Sequence, residues 1–288
     1  MKIIALGELL WDCLPAGREI GGAAANFVYH ATQAGADARL MSAVGRDKAG
    51  DALVRELASR GVPHYIQRSA RYPTGTVEVT LDKRGAPQYD ILGPVAWDDI
   101  QPDVTLFSHV RAADALYFGS LVQRYGPNQR LLRQLVGLLP PQAKILVDIN
   151  LRAGHYQPPT LGFCLRHADI LKLNDEELPL IAAMFGLPRD PQDFYQHLRR
   201  HEHLDMMIYT RGERGSRLFR GNDSHRHPGL KVTPVDTVGA GDAFTAVACV
   251  MALRNEPLAD INRAANQVAA YICTRAGAMP ALPAHTGG

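Results

Sequence analysis

The sequence predicts an α/β fold, a mostly parallel sheet covered by helices on both faces, with a smaller sheet set apart from it. Three observations carry this prediction. Residues 3–6, Ile-Ile-Ala-Leu, form a short continuous apolar run closed by Gly7, the pattern of a strand buried on both faces of a parallel sheet. After Trp97 strand and helix patterns alternate, as right-handed βαβ units require. Between residues 62 and 92 the period changes: Thr76-Val77-Glu78-Val79-Thr80-Leu81 alternates strictly, as a half-buried strand of another sheet does.

In chain order, residues 3–6 supply the first core strand. Residues 9–14 and 18–20, parted by the Pro15-Ala16-Gly17 turn, read as short strands of the small sheet. Gly21-Gly22 opens a helix over residues 24–34 that Gly35 ends. A second core strand spans 39–44, and a helix spans 49–60, with its apolar stripe at Ala52, Leu53 and Leu57 and a stop at Gly61. The alternation at 76–81 and a turn at 83–87 predict a hairpin that completes the small sheet. Strands are then predicted at 115–118, 145–148, 170–173 and 206–210, and helices at 127–139, 176–185, 240–254 and 258–275.

Composition narrows the function classes. With 288 residues and 46% hydrophobic content, the chain can bury one large core plus an excursion. A net charge of +2 with both signs interspersed argues against a nucleic-acid footprint. Cys13, Cys164, Cys249 and Cys273 lack C-x-x-C spacing, so neither a zinc cage nor a disulfide framework is implied, and a reducing cytoplasm is the expected location. Glu8 arrives too soon for a signal segment, and no apolar run reaches membrane length, so no membrane partner is expected. His201, His203, His225 and His227 sit in polar surroundings and read as solvated.

The stretch with most chemistry is Val235-Asp236-Thr237-Val238-Gly239-Ala240-Gly241-Asp242-Ala243-Phe244, a loop feeding an apolar helix. The first amides of a helix lack internal partners and its dipole is positive there, so Gly239, Ala240 and Gly241 form a candidate anion hole. Asp242 lies in the first turn beside it. The dipole favours its ionised form, so a modest base is expected, sufficient for phosphoryl transfer, which depends on positioning. A capped helix with packed glycines would give the same local pattern. The Walker pattern and the G-x-G-x-x-G fingerprint are both absent from the sequence.

Asp-Thr-x-Gly-Ala-Gly-Asp-Ala-Phe resembles the C-terminal signature of the ribokinase (PfkB-type carbohydrate kinase) family, in which the second Asp is the catalytic base. Other segments resemble that family in its order, from residue 3 to about 283. Gly21-Gly22-Ala23-Ala24-Ala25-Asn26 resembles its Gly-Gly-x-x-x-Asn sugar loop, although Ala23 stands where relatives often carry Asn or Lys. Val44-Gly45-Arg46-Asp47-Lys48-Ala49-Gly50 resembles the N-terminal signature. Asp148-Ile149-Asn150-Leu151-Arg152 resembles the D-x-N-x-R segment of fructokinase-like and 2-keto-3-deoxygluconate kinase-like members.

The resemblance implies a Rossmann-like three-layer αβα core of residues 1–8, 23–61 and 96–288, under a small β lid of residues 9–22 and 62–95. It implies a sugar held by Asp12, Gly21, Gly22, Asn26 and Arg152, and ATP held by Asn174, Glu177, Thr210, Gly212, Gly215 and Asn266. Glu177 would order the water around Mg²⁺, though Asn174 followed by Glu177 is also a near-capping box. K⁺ is implied at the carbonyls of Asp236 and Val238, beside the Ala276-Gly277 loop. Tyr89-Asp90-Ile91 and Val95-Ala96-Trp97-Asp98 look most like fructokinases. Fructose is therefore the leading acceptor, with ribose, 2-keto-3-deoxygluconate or a nucleoside as alternatives in the same class. A silent sugar- or nucleotide-binding regulator would be expected to lose Asp242 or a glycine of the hole, and neither is lost. Lid strands too short to bury a core alone are expected either to pair across a homodimer or to close over sugar.

Overall fold

The computed structural model describes residues 1–14, 17–81 and 87–283. The chain runs β1 (Lys2–Leu6), β2 (Leu10–Leu14), β3 (Gly17–Gly21), α1 (Ala23–Gln33), β4 (Asp37–Gly45), α2 (Lys48–Ser59), β5 (His64–Ser69), β6 (Gly75–Leu81) and β7 (Pro87–Ile91). It continues through α3 (Val104–Arg111), β8 (Ala115–Gly119), α4 (Gly126–Leu138), β9 (Lys144–Asp148), α5 (Pro158–His167), β10 (Ile170–Asn174) and α6 (Glu177–Phe185). Then come α7 (Pro191–His201), β11 (Met206–Thr210), β12 (Ser216–Arg220), β13 (Asp223–His227), α8 (Ala240–Leu253) and α9 (Leu258–Cys273).

The nine-stranded sheet has the order β13-β12-β11-β10-β9-β8-β1-β4-β5, with β12 alone running against the rest, antiparallel to both β11 and β13. Successive side chains of a strand face opposite ways, and β1 shows the result. Ile3 and Ala5 join a core built with Phe27, Val247 and Val268 of α1, α8 and α9. Ile4 and Leu6 join another with Leu106, Leu132, Leu161 and Ile181 of α3, α4, α5 and α6. These are the two interfaces of an αβα sandwich. The small sheet has the order β3-β2-β6-β7, and Leu10, Val77, Ile91, Val95, Trp97 and Leu121 bury its junction with the core.

One boundary differs from the sequence reading. Residues 64–69, expected in the lid, form β5 and pair with β4 in the large sheet, so the second excursion supplies the small sheet with β6 and β7 only. The side chains of β5 are mostly half-buried, as at a sheet edge, which hides the apolar signature of a core strand. The turns expected at 15–17 and 83–87 lie, at positions 15, 16 and 83–86, outside the described residues, as do the side chains of Tyr89 and Asp90.

Both ends of that excursion are fastened to the core. Asp47 caps α2 by accepting from Gly50 N at 2.7 Å, and also accepts from Thr74 N at 2.9 Å and Thr74 Oγ1 at 2.7 Å, just before β6. Burial alone would raise the Asp47 carboxyl, but these hydrogen bonds more than offset it and hold it below the usual carboxylate range. At the exit, Arg124 donates twice to Asp98, at 2.7 Å each, and to the carbonyls of Ile91 and Leu92 at 3.1 and 2.8 Å. Its guanidinium lies 4.3 Å from the centre of the Trp97 ring.

Candidate active site

β1 is the switch point of the large sheet, with β4 on one side and β8 on the other, and ligands bind at such points beyond the carboxyl ends of strands. A cleft of about 1810 Å³ opens there, roofed by residues of β2, β3, β6 and β7. Glu8 after β1, Asn150 and Arg152 after β9, Asn174 ending β10, Thr210 ending β11 and the start of α8 all line it. The cleft thus gathers Asp12, Gly22, Asn26, Arg152, Asn174, Thr210, Gly212, Gly215, Asp236, Val238, Gly239, Ala240, Gly241, Asp242 and Asn266 of the residues expected from sequence, while Gly21 and Glu177 lie behind its walls.

Gly239 caps α8 in the left-handed region at φ 77°, and a Cβ there would lie 2.7 Å from the Ala278 backbone, so only glycine fits. The helical ladder begins with Ala243 N donating to Gly239 O, which leaves Gly241 and Asp242 with first-turn amides. Ala240 N instead donates to Thr237 O at 3.3 Å. Asp242 Oδ2 accepts from Asn26 Nδ2 of α1 at 2.7 Å. Burial, helped by the nearby Asp148 carboxylate, pushes Asp242 up to about 7, although Asn26, Lys172 and Arg152 pull the other way. The modest base expected from the dipole is corrected here: desolvation outweighs the dipole, and Asp242 is poised near neutrality.

On the side of the small sheet, Asp12 faces Glu19 directly across β2 and β3, and burial followed by the Glu19 charge raises Asp12 to about 6. Gly22 is demanded by the backbone, since at φ 115° a Cβ would lie 2.2 Å from Glu8 O, whereas a Cβ on Gly21 would lie 2.2 Å from Asp12 Oδ2 and displace that side chain. Glu8, 6% exposed, accepts from Ala23 N at 3.0 Å, so the backbone at the departure from the family pattern is tied down by a carboxylate.

On the far side, Asn174 Oδ1 accepts from the amides of Glu176, the N-cap of α6, and Glu177, its first residue, so its side chain fixes the turn into that helix. Glu177 accepts from Leu151 N at 2.7 Å and Asn174 N at 2.8 Å, bracing the loops after β9 and β10, and burial raises its carboxyl against the pull of Lys172. Asn266 Nδ2 is spent on Ser216 Oγ and on Asn262. Gly215, at φ 79°, packs its Cα against the His227–Gly229 backbone, while a Cβ on Gly212 would meet open space. The rings of His225 and His227, read as solvated, have partners: His225 Nδ1 lies 3.2 Å from Asn262 Nδ2, and His227 Nδ1 accepts from Gly229 N at 3.1 Å.

Sequence reasoning missed Lys172 and Glu8. Lys172 Nζ is 3.0 Å from Asp148 Oδ1, with both side chains buried, and Thr245 Oγ1 donates to Asp148 Oδ2 at 3.1 Å. Burial would lower Lys172, but Asp148 and Glu177 more than offset it and keep it charged. The signal was a lysine inside the apolar Ile170-Leu171-Lys172-Leu173 strand, a place that demands a buried anion. Among the described residues no group of His, Cys, Asp and Glu forms a metal cage. Mg²⁺ does not require one, since it takes one or two carboxylates plus phosphates and water; Asp148 is committed to Lys172, and Glu177, behind the cleft wall, would meet the ion only through water. Asp236 accepts from Val238 N at 3.0 Å and Gly277 N at 3.1 Å, which joins the two segments expected to flank a monovalent cation.

An amide-lined helix start with a carboxylate beside it, at the switch point of a parallel sheet, defines a group-transfer enzyme of the α/β class. Residues 13–285 match the family model for pfkB family carbohydrate kinases, and the chain belongs to that family: it is a kinase that phosphorylates a sugar. It is 30% identical over 307 residues to a fructokinase of Klebsiella pneumoniae, covering 98% of this chain and 96% of the relative. The solved structure of an uncharacterized sugar kinase from Pyrococcus horikoshii in complex with ATP is 26% identical, with a TM-score of 0.82 over 96% of this chain and 94% of that one. A fructokinase with bound ATP from Xylella fastidiosa, 22% identical, shares the fold at a TM-score of 0.84 over 98% of this chain and 95% of that one. Among the described residues no helix is long and apolar enough to cross a membrane.

Proposed function

We propose that the chain transfers the γ-phosphoryl group of ATP to a primary hydroxyl of fructose. The observation that carries this reading is Asp242, raised to about 7 and held by Asn26 beside the first amides of α8. In the proposed reaction the acceptor hydroxyl gives its proton to Asp242 while its oxygen bonds to the γ-phosphorus. The bond from that phosphorus to the bridging oxygen breaks, and ADP leaves. The amides of Gly239, Gly241 and Asp242 hold the transferring group, and Lys172 adds positive charge behind them: a Cβ on Gly241 would lie 3.9 Å from its Nζ. Mg²⁺ bound with the nucleotide supplies charge neutralisation of the phosphates, and Glu177 would hold its water shell.

Asp12, Asn26 and Arg152 face the sugar, while Thr210, Gly212, Gly215 and Asn266 form the nucleotide wall, with Asn174 and Glu177 fixing the loop between. The names of the Klebsiella relative and of the ATP complex support fructose and ATP respectively. The Asp236 and Val238 carbonyls by the Ala276-Gly277 loop would hold K⁺, the cytoplasm is the working compartment, and the β3 and β7 edges of the lid offer a homodimer contact.

ADP release over a panel of sugars and nucleosides with Mg-ATP tests the substrate. Fructose should lead in kcat/KM by at least about tenfold. A clear preference for ribose or a nucleoside would reject fructose and leave the kinase standing.

A further inference from the structure

The acceptor end of the cleft is more acidic than a sugar hydroxyl requires. Glu8, Asp12, Glu19 and Asp242 all line the cleft there. Arg152 is within electrostatic reach of Glu8, Asp12 and Asp242 together, so one guanidinium is already shared among three carboxyl groups. Lys172 is committed to Asp148. Arg211, Arg214, Arg226 and Lys231 line the cleft from the loops around β11 to β13, toward the other end of the sheet.

Glu19 is the unexpected member. It stands directly opposite Asp12, an arrangement that costs stability in a sheet. Its neighbour Arg18 does not relieve it, because that guanidinium lies over the Trp11 ring at 5.4 Å, on the alternate face of the ribbon. Glu19 instead reaches across the cleft toward the loop after α9, where a Cβ on Gly277 would lie 3.4 Å from its Oε2. Asn26 adds an independent sign. It is 4% exposed, its Nδ2 holds Asp242, and among the described residues its Oδ1 has no hydrogen-bond partner. Asp12, Glu19 and Asn26 Oδ1 are all acceptors, so the ligand that completes this wall must donate hydrogen bonds.

We propose that this end takes an uncharged polyhydroxy sugar and refuses sugar acids and sugar phosphates, with Glu19 enforcing the refusal. The proposal rests on the reading of this end as the sugar site. Hydroxyl groups donate to all three acceptors, whereas a carboxylate or phosphate would bring more acceptors and a like charge.

The test compares fructose with 2-keto-3-deoxygluconate, each with Mg-ATP, in the wild type, Glu19→Gln and Glu19→Asp. The wild type should favour fructose by at least about tenfold in kcat/KM. Glu19→Gln should raise the acid-to-fructose ratio by about threefold or more, mainly through KM for the acid, and Glu19→Asp should restore the wild-type ratio. Added salt should lower KM for the acid in the wild type and have less effect in Glu19→Gln. A wild type that uses the acid as well as fructose, or a ratio unmoved by Glu19→Gln, overturns the proposal while leaving the sugar site in place. If neither compound nor any other neutral sugar is phosphorylated, the reading of this end as the sugar site fails, and the proposal with it.

Discussion

At the scale of a residue, Asp242 is decided by burial against dipole. Because burial wins, its pH behaviour is a direct readout. As a base poised at about 7 it must lose its proton to work, so kcat/KM should rise with pH up to about 7 and level off above it. A flat profile from pH 5 to 8 would remove Asp242 from the chemistry. Stability runs the opposite way. The folded state holds this proton more tightly than the unfolded chain, so the contribution is complete below the ordinary value of 3.8 and is lost as pH rises toward about 7. Asp242→Asn should therefore cut kcat by about 10²–10⁴. It should also melt about 2 °C or more above the wild type at pH 8, an advantage that shrinks toward pH 4. Retention of more than about a tenth of kcat would make Asp242 a helix residue and not the base.

At the scale of an element, the start of α8 and the ends of β9 and β10 must be held together for that residue to matter. Gly241→Val would set a branched side chain facing Lys172 across the phosphate approach, and should weaken both nucleotide binding and turnover, as titration calorimetry and ADP release would show. Lys172→Met leaves Asp148 buried without its cation, and should cost about 3–5 kcal/mol in urea unfolding. A loss under about 1 kcal/mol would mean that Asp148 takes up a proton at little cost.

The core strands and α8 were legible because their apolar runs report burial on both faces, and Gly239 because the backbone there requires glycine. Three kinds of feature were missed. The helices α3, α5 and α7 carried start signals that the sequence reading passed over, Asp103 and Asp190 as N-caps and Pro158 and Pro191 at the first helical position. β5 lies at an edge, where periodicity fades. Glu8, Glu19 and Lys172 act through partners distant in sequence, which no local pattern encodes.

At the scale of the whole molecule, the second excursion is fixed by two fasteners that belong to the core, Asp47 on Thr74 and Arg124 on Asp98. Arg124→Met should leave Asp98, 2% exposed, without its cation, and hydrogen exchange should quicken in β6 and β7 more than in β1 or β8. Uniform quickening across all four strands would place Arg124 in the global core. Fastening at both ends also makes the segment between them a cartridge. Residues 75–94 can be exchanged for those of a relative while Thr74, Asp98 and Arg124 stay in place, and the main melting transition should survive the swap. Recombination can thus reshape the roof over the cleft in one step, because the joints are kept by groups that do not travel with the insert.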